Sequence, residues 1–177
     1  MEENRERDLA RELIESTGRN LYLTGKAGTG KTTFLRQLRA DSPKRMVVLA
    51  PTGIAAINAE GMTIHSFFLF PFLPYLPNEA FGKEAKYNYH YRKERLKLIR
   101  SLDLIVIDEV SMVRADLLDA IDDALRHVRR CNLPFGGVQM LLIGDIQQLP
   151  PVATSTPSHC GIVIRYDDGV KLFMPLL

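Results

Sequence analysis

The sequence predicts an α/β fold in which a parallel β-sheet is sandwiched by helices. Two observations predict this class. Short, nearly unbroken runs of valine, isoleucine and leucine, typical of parallel strands buried on both faces, occur at 45–50, 102–107 and 139–143. Segments with helical periodicity alternate with these runs, and a glycine-rich loop joins the first predicted strand to a helix.

The remaining elements follow from local patterns. Apolar residues at helical spacing predict a first helix over 4–17, and Gly18 behind it suits a helix end that needs a positive φ. A short strand is predicted at 20–24 and a helix at 31–40. A longer helix is predicted at 114–130, because leucine, isoleucine and valine mark one face and aspartate and arginine the other.

Composition restricts the class of protein. The 177 residues are 46% hydrophobic and 25% charged, which is enough for one domain with a substantial core. Cys131 and Cys160 stand alone, so neither a disulfide framework nor a thiolate zinc site is predicted, and a reducing cytoplasm, a bacterial-type cytosol or nucleoid, is the expected location. Pro71 and Pro74 interrupt the longest apolar stretch, which has about half of the ~20 residues of a membrane span, so no membrane is expected.

A glycine-rich loop, GKAGTGKT at 25–32, matches the P-loop pattern GxxxxGK[ST] in full. Glycines let successive backbone N–H groups surround a phosphate, and the next helix directs its positive end at the same anion. Lys31 is expected to reach the β- and γ-phosphates, and Thr32 to bind Mg²⁺. The alternative is a chance glycine turn before a helix. The predicted ATP-binding residues are Gly25, Ala27, Gly28, Thr29, Gly30, Lys31, Thr32 and Thr33.

Two adjacent carboxylates end the predicted strand at 102–107. Asp108 is expected to hold Mg²⁺, and Glu109 is the candidate catalytic base for an attacking water molecule. An ordinary acidic turn after a strand is the alternative. A P-loop kinase for a small acceptor would have less use for a second carboxylate, so hydrolysis is favoured.

Two further segments follow predicted strands. In GDIQQLPPV, at 144–152, Gln148 could hydrogen-bond the γ-phosphate, although the string alone is also a polar loop that ends in prolines. The segments at 50–56 and 63–67 combine hydroxyls, small residues and an aromatic residue that suit a nucleic-acid backbone and base. From the residues alone, packing is favoured for His65 over a DNA contact. The candidate DNA-binding residues are Thr52, Gly53, His65, Ser66 and Phe67, the last as a base-stacking ring.

Four motifs therefore stand in a fixed order: GKAGTGKTT, APTGIAAINAEGMTIHSFF, VIDEVSM and GDIQQLPPV. The set resembles the first RecA-like domain of superfamily 1 DNA helicases of the Pif and RecD branch, over about 21–152. The resemblance implies a helicase that moves from 5′ to 3′ on single-stranded DNA. It also implies a role in DNA repair, recombination or telomere maintenance.

The resemblance also implies roles for individual residues. Lys31 and Thr32 match the nucleotide and magnesium residues of helicase motif I, and Asp108 and Glu109 match the metal ligand and catalytic carboxylate of motif II. Gln148 matches the glutamine that senses the γ-phosphate. Thr52, Gly53, His65 and Ser66 fall in the segments that grip single-stranded DNA. The glutamine that often precedes the P-loop and reads adenine has no counterpart here, because the first glutamine is Gln37.

An aromatic and basic segment, 67–100, interrupts the strand and helix alternation. From 83 to 100 it carries seven lysine or arginine residues against two glutamates, together with three tyrosines. It occupies the place where members of the resembled family can carry a wedge that splits the duplex. The alternative is core packing for 67–76 and a solvated helix for 92–100.

The expected organisation is one ATP-binding domain over 1–156 and a tail over 157–177 with a hairpin at 162–173. No part of 153–177 resembles the second RecA-like lobe of the family. Since an arginine finger from that lobe is worth about 10³ to 10⁵ in rate, the chain alone is expected to be a slow, monomeric ATPase. A nucleotide-gated binding module and a P-loop ATPase or kinase without helicase activity are the alternatives.

Overall fold

The computed structural model describes residues 5–25, 28–72 and 91–145, and it has a five-stranded sheet at its centre. All neighbouring strands are parallel, which confirms the predicted α/β class. The order across the sheet is β1-β5-β4-β2-β3. The strands are β1 Leu21–Thr24, β2 Met46–Ala50, β3 Met62–Thr63, β4 Leu104–Ile107 and β5 Gln139–Gly144.

Helices and short 3₁₀ turns connect the strands. The helices are α1 Arg5–Ser16, α2 Lys31–Asp41, α3 Gly53–Asn58, α4 Ile64–Phe68, α5 Lys93–Ser101 and α6 Ala115–Arg129, and the turns are Val110–Met112 and Pro134–Gly137. The three helices predicted by periodicity are confirmed as α1, α2 and α6. The sequence did not predict α3, α4 or β3, because each is too short to show a periodic pattern. Among the described residues, no helix combines the length and apolar character that a bilayer crossing requires.

The core lies on both faces of the sheet. Side chains alternate along a strand, so Leu104 and Val106 of β4 pack with α1 and α2 on one face. Ile105 and Ile107 pack with α4, α5 and α6 on the other face. None of the four side chains has any exposed surface. This double burial explains why the strand reads as an unbroken apolar run.

The described parts of the aromatic and basic segment contribute several side chains to the core. Phe67, Phe68 and Phe70 are buried, which confirms the packing alternative for these three residues. Helix α5 buries Ile99 and is tied to α6 by Arg129, whose Nη1 donates to carbonyl oxygens at the end of α5. The wedge prediction depends on 73–90, which lie outside the described residues. The predicted tail and its hairpin also lie outside them.

Helix α1 does not end as the sequence predicted. Gly18 has no positive φ, so the prediction of a left-handed helix end there was wrong. Instead, Lys44 reaches across from the start of β2. Its Nζ donates to the carbonyl oxygens of Ile14 and Thr17, the latter at 2.9 Å, and to Oε1 of Gln139 at 2.6 Å. The ammonium group thus donates to one carbonyl oxygen in the last turn of α1 and to the carbonyl oxygen of Thr17, just beyond the helix.

Candidate nucleotide-binding and DNA-binding site

The P-loop lies between β1 and α2, as predicted. Gly28 and Gly30 have φ values of 81° and 87°, in the left-handed region that favours glycine. Gly25 makes a close contact, because a Cβ atom there would lie 2.7 Å from Oγ1 of Thr29 and would displace that hydroxyl. The loop is therefore a tight backbone turn that side chains at these glycines would disturb.

Helix α2 opens directly onto this loop. Its N-cap, Gly30, provides no side-chain cap, so the first N–H groups of an eleven-residue helix have no side-chain acceptor from that position. Thr32 and Thr33 are exposed on the first turn. The Nζ of Lys31 donates to the carbonyl oxygen of Gly25, which places the ammonium group over the loop. This arrangement suits an anion such as a phosphate. Ala27 lies outside the described residues.

The two predicted carboxylates follow β4 at the carboxyl edge of the sheet. The N–H of Asp108 donates to the carbonyl oxygen of Leu49 at 2.9 Å, which fixes the turn to β2. Glu109 has a φ of 53°, and its N–H donates to Oδ1 of Asp108 at 3.0 Å. Burial raises the pKa of Asp108, while this hydrogen bond and the charge of Lys31 oppose the rise. The P-loop lysine and the carboxylate thus act on each other.

Glu109 lies in the same electrostatic cluster. Burial raises its pKa, the negative charges of Asp108 and Asp145 raise it further, and Lys31 acts in the opposite direction. Asp145, which is 8% exposed and comes immediately after β5, was not predicted from the sequence as a site residue. Asp145 follows a buried strand, as Asp108 does, so the same sequence pattern could have predicted it.

Asp108 and Thr32 are the predicted Mg²⁺ ligands. Among the described residues, no group of three histidine, cysteine or acidic side chains is arranged to hold a metal ion. Mg²⁺ at nucleotide sites usually takes one or two carboxylates and completes its octahedral shell with phosphates and water. Asp108 and the exposed hydroxyl of Thr32 fit that pattern.

The turn that carries Glu109 is held against the end of β5. A Cβ atom on Gly144 would lie 3.0 Å from Cγ1 of Val110 and 3.2 Å from the backbone nitrogen of Ser111. This close approach joins the acidic turn to the strand that leads into the GDIQQLPPV segment. Gln148 of that segment lies outside the described residues, so its role stays a prediction.

The candidate DNA-binding segments meet at the same edge of the sheet. Strands β2 and β3 pair through Ala50 and Thr63, and each is followed by a short helix. The Oγ1 of Thr52 accepts a hydrogen bond from Ala55 N at 3.2 Å and caps α3. The Oγ1 of Thr63 caps α4 by accepting from Ser66 N. The fold therefore brings Thr52, Gly53, His65 and Ser66 to one edge.

The aromatic residues differ from the prediction. The ring of Phe67 is 2% exposed and packs edge-on against Phe68, so it offers no face to a nucleotide base, and the predicted stacking role is not supported. The ring of His65 is partly buried, which lowers its pKa. It stacks on Phe72 with centroids 4.7 Å apart and an interplanar angle of 17°. The sequence analysis did not single out Phe72.

A parallel sheet with a P-loop after β1 and an acidic pair after β4 defines an α/β domain of the P-loop NTPase class. The family model described as PIF1-like helicase matches residues 4–164. The chain therefore belongs to the PIF1-like helicase family.

Curated relatives agree with this assignment. The ATP-dependent DNA helicase PIF1 of Candida albicans is 40% identical over 161 residues, which cover 89% of this chain and 17% of that protein. The ATP-dependent DNA helicase Pif1 of Bdellovibrio bacteriovorus is 37% identical over 145 residues, which cover 81% of this chain and 31% of that protein. The chain thus spans less than a third of either relative.

Solved structures give the same result. Bacteroides Pif1 bound to single-stranded DNA superposes with a TM-score of 0.76 and 46% identity, over 87% of this chain and 34% of that one. The Bacteroides Pif1 helicase in complex with ADP-AlF₃ and single-stranded DNA gives a TM-score of 0.78 and 46% identity, over 88% of this chain and 35% of that one. The described fold is that of a Pif1 helicase RecA-like domain.

Proposed function

We propose that this chain forms the ATP-binding lobe of a helicase that couples ATP hydrolysis to 5′ to 3′ movement on single-stranded DNA and to duplex unwinding. One observation carries the proposal: the P-loop, the acidic pair and the candidate DNA-binding segments all lie at the carboxyl edge of one sheet. The relatives solved with ADP-AlF₃ and with single-stranded DNA support both ligands.

ATP would bind with its phosphates in the P-loop. The N–H groups at the start of α2 and the ammonium group of Lys31 would bind the β- and γ-phosphates. Thr32 and Asp108 would hold Mg²⁺, which neutralises charge that develops on the phosphates. Gln148 would contact the γ-phosphate and respond to its loss.

Glu109 would act as the base in hydrolysis. It must be ionised to accept a proton from the attacking water, and the nearby Lys31 favours the ionised form. Burial and the charges of Asp108 and Asp145 strengthen its affinity for the proton. A carboxylate with a raised pKa is a stronger base than one in water, which suits this role.

The strand order offers a short route between the two ligands. The acidic pair follows β4, and the candidate DNA-binding segments follow β2 and β3, which are the next two strands across the sheet. Neighbouring strands lie about 5 Å apart, so the acidic pair would be separated from the two DNA-binding segments by about 5 Å and about 10 Å of sheet. A change at the γ-phosphate could thus reach Thr52 and His65 through a rigid element.

The whole helicase requires more than this lobe. We infer that a second RecA-like lobe supplies the arginine finger and closes on the DNA strand in each nucleotide cycle. We also infer that the lobe formed by this chain is monomeric and works in a reducing cytosol. An alternative is a nucleotide-gated binding module without hydrolysis. The acidic pair beside Lys31 favours hydrolysis, since a pure binding module needs no base next to the phosphates.

The P-loop assignment is tested by Lys31→Ala. Loss of the ammonium group is expected to weaken ATP binding by at least about tenfold, because a charge-assisted contact to phosphate is removed. Titration with a fluorescent ATP analogue measures the affinity, and Lys26→Ala, which removes the other lysine of the same loop, is the matched control. Equal affinity of wild type and Lys31→Ala would contradict the assignment.

Coupling between the sites is tested by steady-state ATP hydrolysis with Mg²⁺, with and without a poly-pyrimidine single strand. The strand is expected to accelerate hydrolysis in wild type, and the acceleration is expected to vanish in Glu109→Gln. Phosphorylation of a small acceptor without any response to DNA would instead favour a kinase.

A further inference from the structure

We propose that Phe72 is a base-stacking residue for single-stranded DNA, with the ring of His65 as its support. The inference rests on the proposed function and adds a residue to its DNA-binding edge. It also replaces the stacking role that the buried ring of Phe67 does not support.

Exposure is the first observation. The side chain of Phe72 is 88% exposed, while the neighbouring Phe67, Phe68 and Phe70 are each 5% exposed or less. Among the described residues, no other phenylalanine and no tyrosine is exposed. The ring of Phe72 is therefore accessible to a ligand, unlike the phenyl rings beside it.

The geometry of the ring is the second observation. One face of Phe72 lies almost parallel to His65, with centroids 4.7 Å apart. Since the side chain is otherwise exposed, its opposite face is open to a flat, apolar partner. Every nucleotide base has such a face, and stacking on an aromatic ring is a common way of binding single strands without sequence preference.

The chain that leads into Phe72 is anchored in the core. Leu69 ends α4 with a φ of 55°, and the N–H groups of Leu69 and Phe70 both donate to the carbonyl oxygen of His65. Phe70 is buried and stacks on Phe68 at 5.1 Å. The hydroxyl of Tyr91 donates to the carbonyl oxygen of Phe68 at 2.7 Å. The ring thus follows directly on a segment that is fixed in the core.

Helix α5 strengthens this anchor. Nη1 of Arg95 donates to the carbonyl oxygens of Ser66, at 2.9 Å, and Phe67. These bonds satisfy the last turn of α4 from outside the helix. A ring presented from an anchored turn loses little conformational entropy on binding, which favours its use as a stacking surface.

The position of Phe72 agrees with the path proposed for the strand. His65 belongs to α4, which follows β3 at the edge where Thr52, Gly53 and Ser66 also lie. Hydroxyl and backbone N–H groups at that edge suit phosphates, and the stacked pair suits a base. Backbone and base of the same nucleotide could therefore be bound side by side.

Phe72→Trp provides a direct test, because the chain has no tryptophan. The indole retains a stacking face and becomes the only tryptophan fluorophore. Addition of oligo-dT is expected to quench its emission with the same affinity that anisotropy of a labelled strand reports. Unchanged emission while the strand is bound would overturn the proposal.

Affinity measurements provide a second test. Phe72→Ala and Phe72→Leu are both expected to weaken oligo-dT binding by about 5- to 100-fold, since leucine is apolar but has no π-face. The dependence of affinity on salt is expected to keep its slope, because no phosphate contact is lost. Leu133→Ala, which truncates another exposed apolar side chain, is the matched control and is expected to bind as wild type does.

An abasic strand completes the design. Wild type and Phe72→Ala are expected to bind it equally, because it offers phosphates but no bases. If wild type binds oligo-dT and Phe72→Ala binds it equally well, the inference fails and the proposed function stands. If wild type binds no single strand at all, the DNA part of the proposed function fails, and the inference fails with it.

Discussion

At Glu109, burial and two neighbouring carboxylates act in the same direction. All three raise its pKa, and only Lys31 opposes them. A carboxylate whose pKa is higher in the folded than in the unfolded chain reduces stability as pH rises through that interval. The ionised carboxylate of Glu109 therefore lowers the stability of the fold at neutral pH, as is common for catalytic side chains.

Glu109→Gln is expected to separate activity from stability. ATP hydrolysis should fall by about 10²- to 10⁴-fold, because the general base is lost. The melting temperature at pH 7 should rise by about 1 to 3 °C, because a partly buried charge beside Asp108 and Asp145 is removed. This gain in melting temperature should vanish as pH falls below the ordinary carboxyl pKa, because the side chain at position 109 is then neutral in both wild type and variant.

Thermal unfolding at several pH values measures this difference. Glu12→Gln, on an exposed position of α1, serves as the control. A variant that melts below wild type at pH 7 would show that Glu109 stabilises the fold, contrary to the pKa argument.

The short elements α3, β3 and α4 bring the candidate DNA-binding residues together, and Gly61 makes their placement possible. A Cβ atom at Gly61 would lie 2.3 Å from the carbonyl oxygen of Val48, so only glycine permits this approach to β2. Without it, β3 could not pair with β2 in the observed register. The glycine thus supports the site although it is not part of it.

Gly61→Ala is expected to lower the free energy of unfolding by about 1 to 3 kcal/mol, because its Cβ would meet backbone that cannot move without disturbing β2. Gly18→Ala is the matched control, since a Cβ there meets nothing within 4 Å and the residue has no positive φ. That change should be neutral or slightly stabilising. Urea denaturation of both variants makes the comparison, and equal stability would refute the steric argument.

The described residues form one lobe with a candidate ATP-binding edge, and the chain covers only 17% and 31% of the two relatives compared with it. Catalysis of phosphoryl transfer by P-loop enzymes depends strongly on an arginine that stabilises the transition state. The described edge contains Lys31 and the acidic pair. We infer that full activity depends on a partner lobe that approaches this edge.

Addition of the second RecA-like lobe of a Pif1 relative in trans is therefore expected to accelerate ATP hydrolysis. The gain should be smaller than the 10³- to 10⁵-fold value of an arginine finger held in place, because the lobes must first associate. Steady-state hydrolysis measures it, and the Lys31→Ala chain is the control. A rate that does not respond to the lobe, with or without single-stranded DNA, would contradict the two-lobe proposal.

The sequence by itself determined the features that local pattern encodes. The P-loop, the acidic pair and the strands at 45–50, 102–107 and 139–143 are contiguous, so their residue types and periodicity are enough to predict the elements and their order. The parallel sheet follows from the alternation of these strands with helices.

Only the tertiary structure decided which side chains face the core and which meet from distant segments. Phe67 and Phe72 are both aromatic in one apolar stretch, yet the first is buried and the second is exposed. Lys44, rather than Gly18, satisfies the end of α1 because folding brings the start of β2 beside it. Burial and long-range contacts of this kind depend on the packed fold, and no local pattern records them.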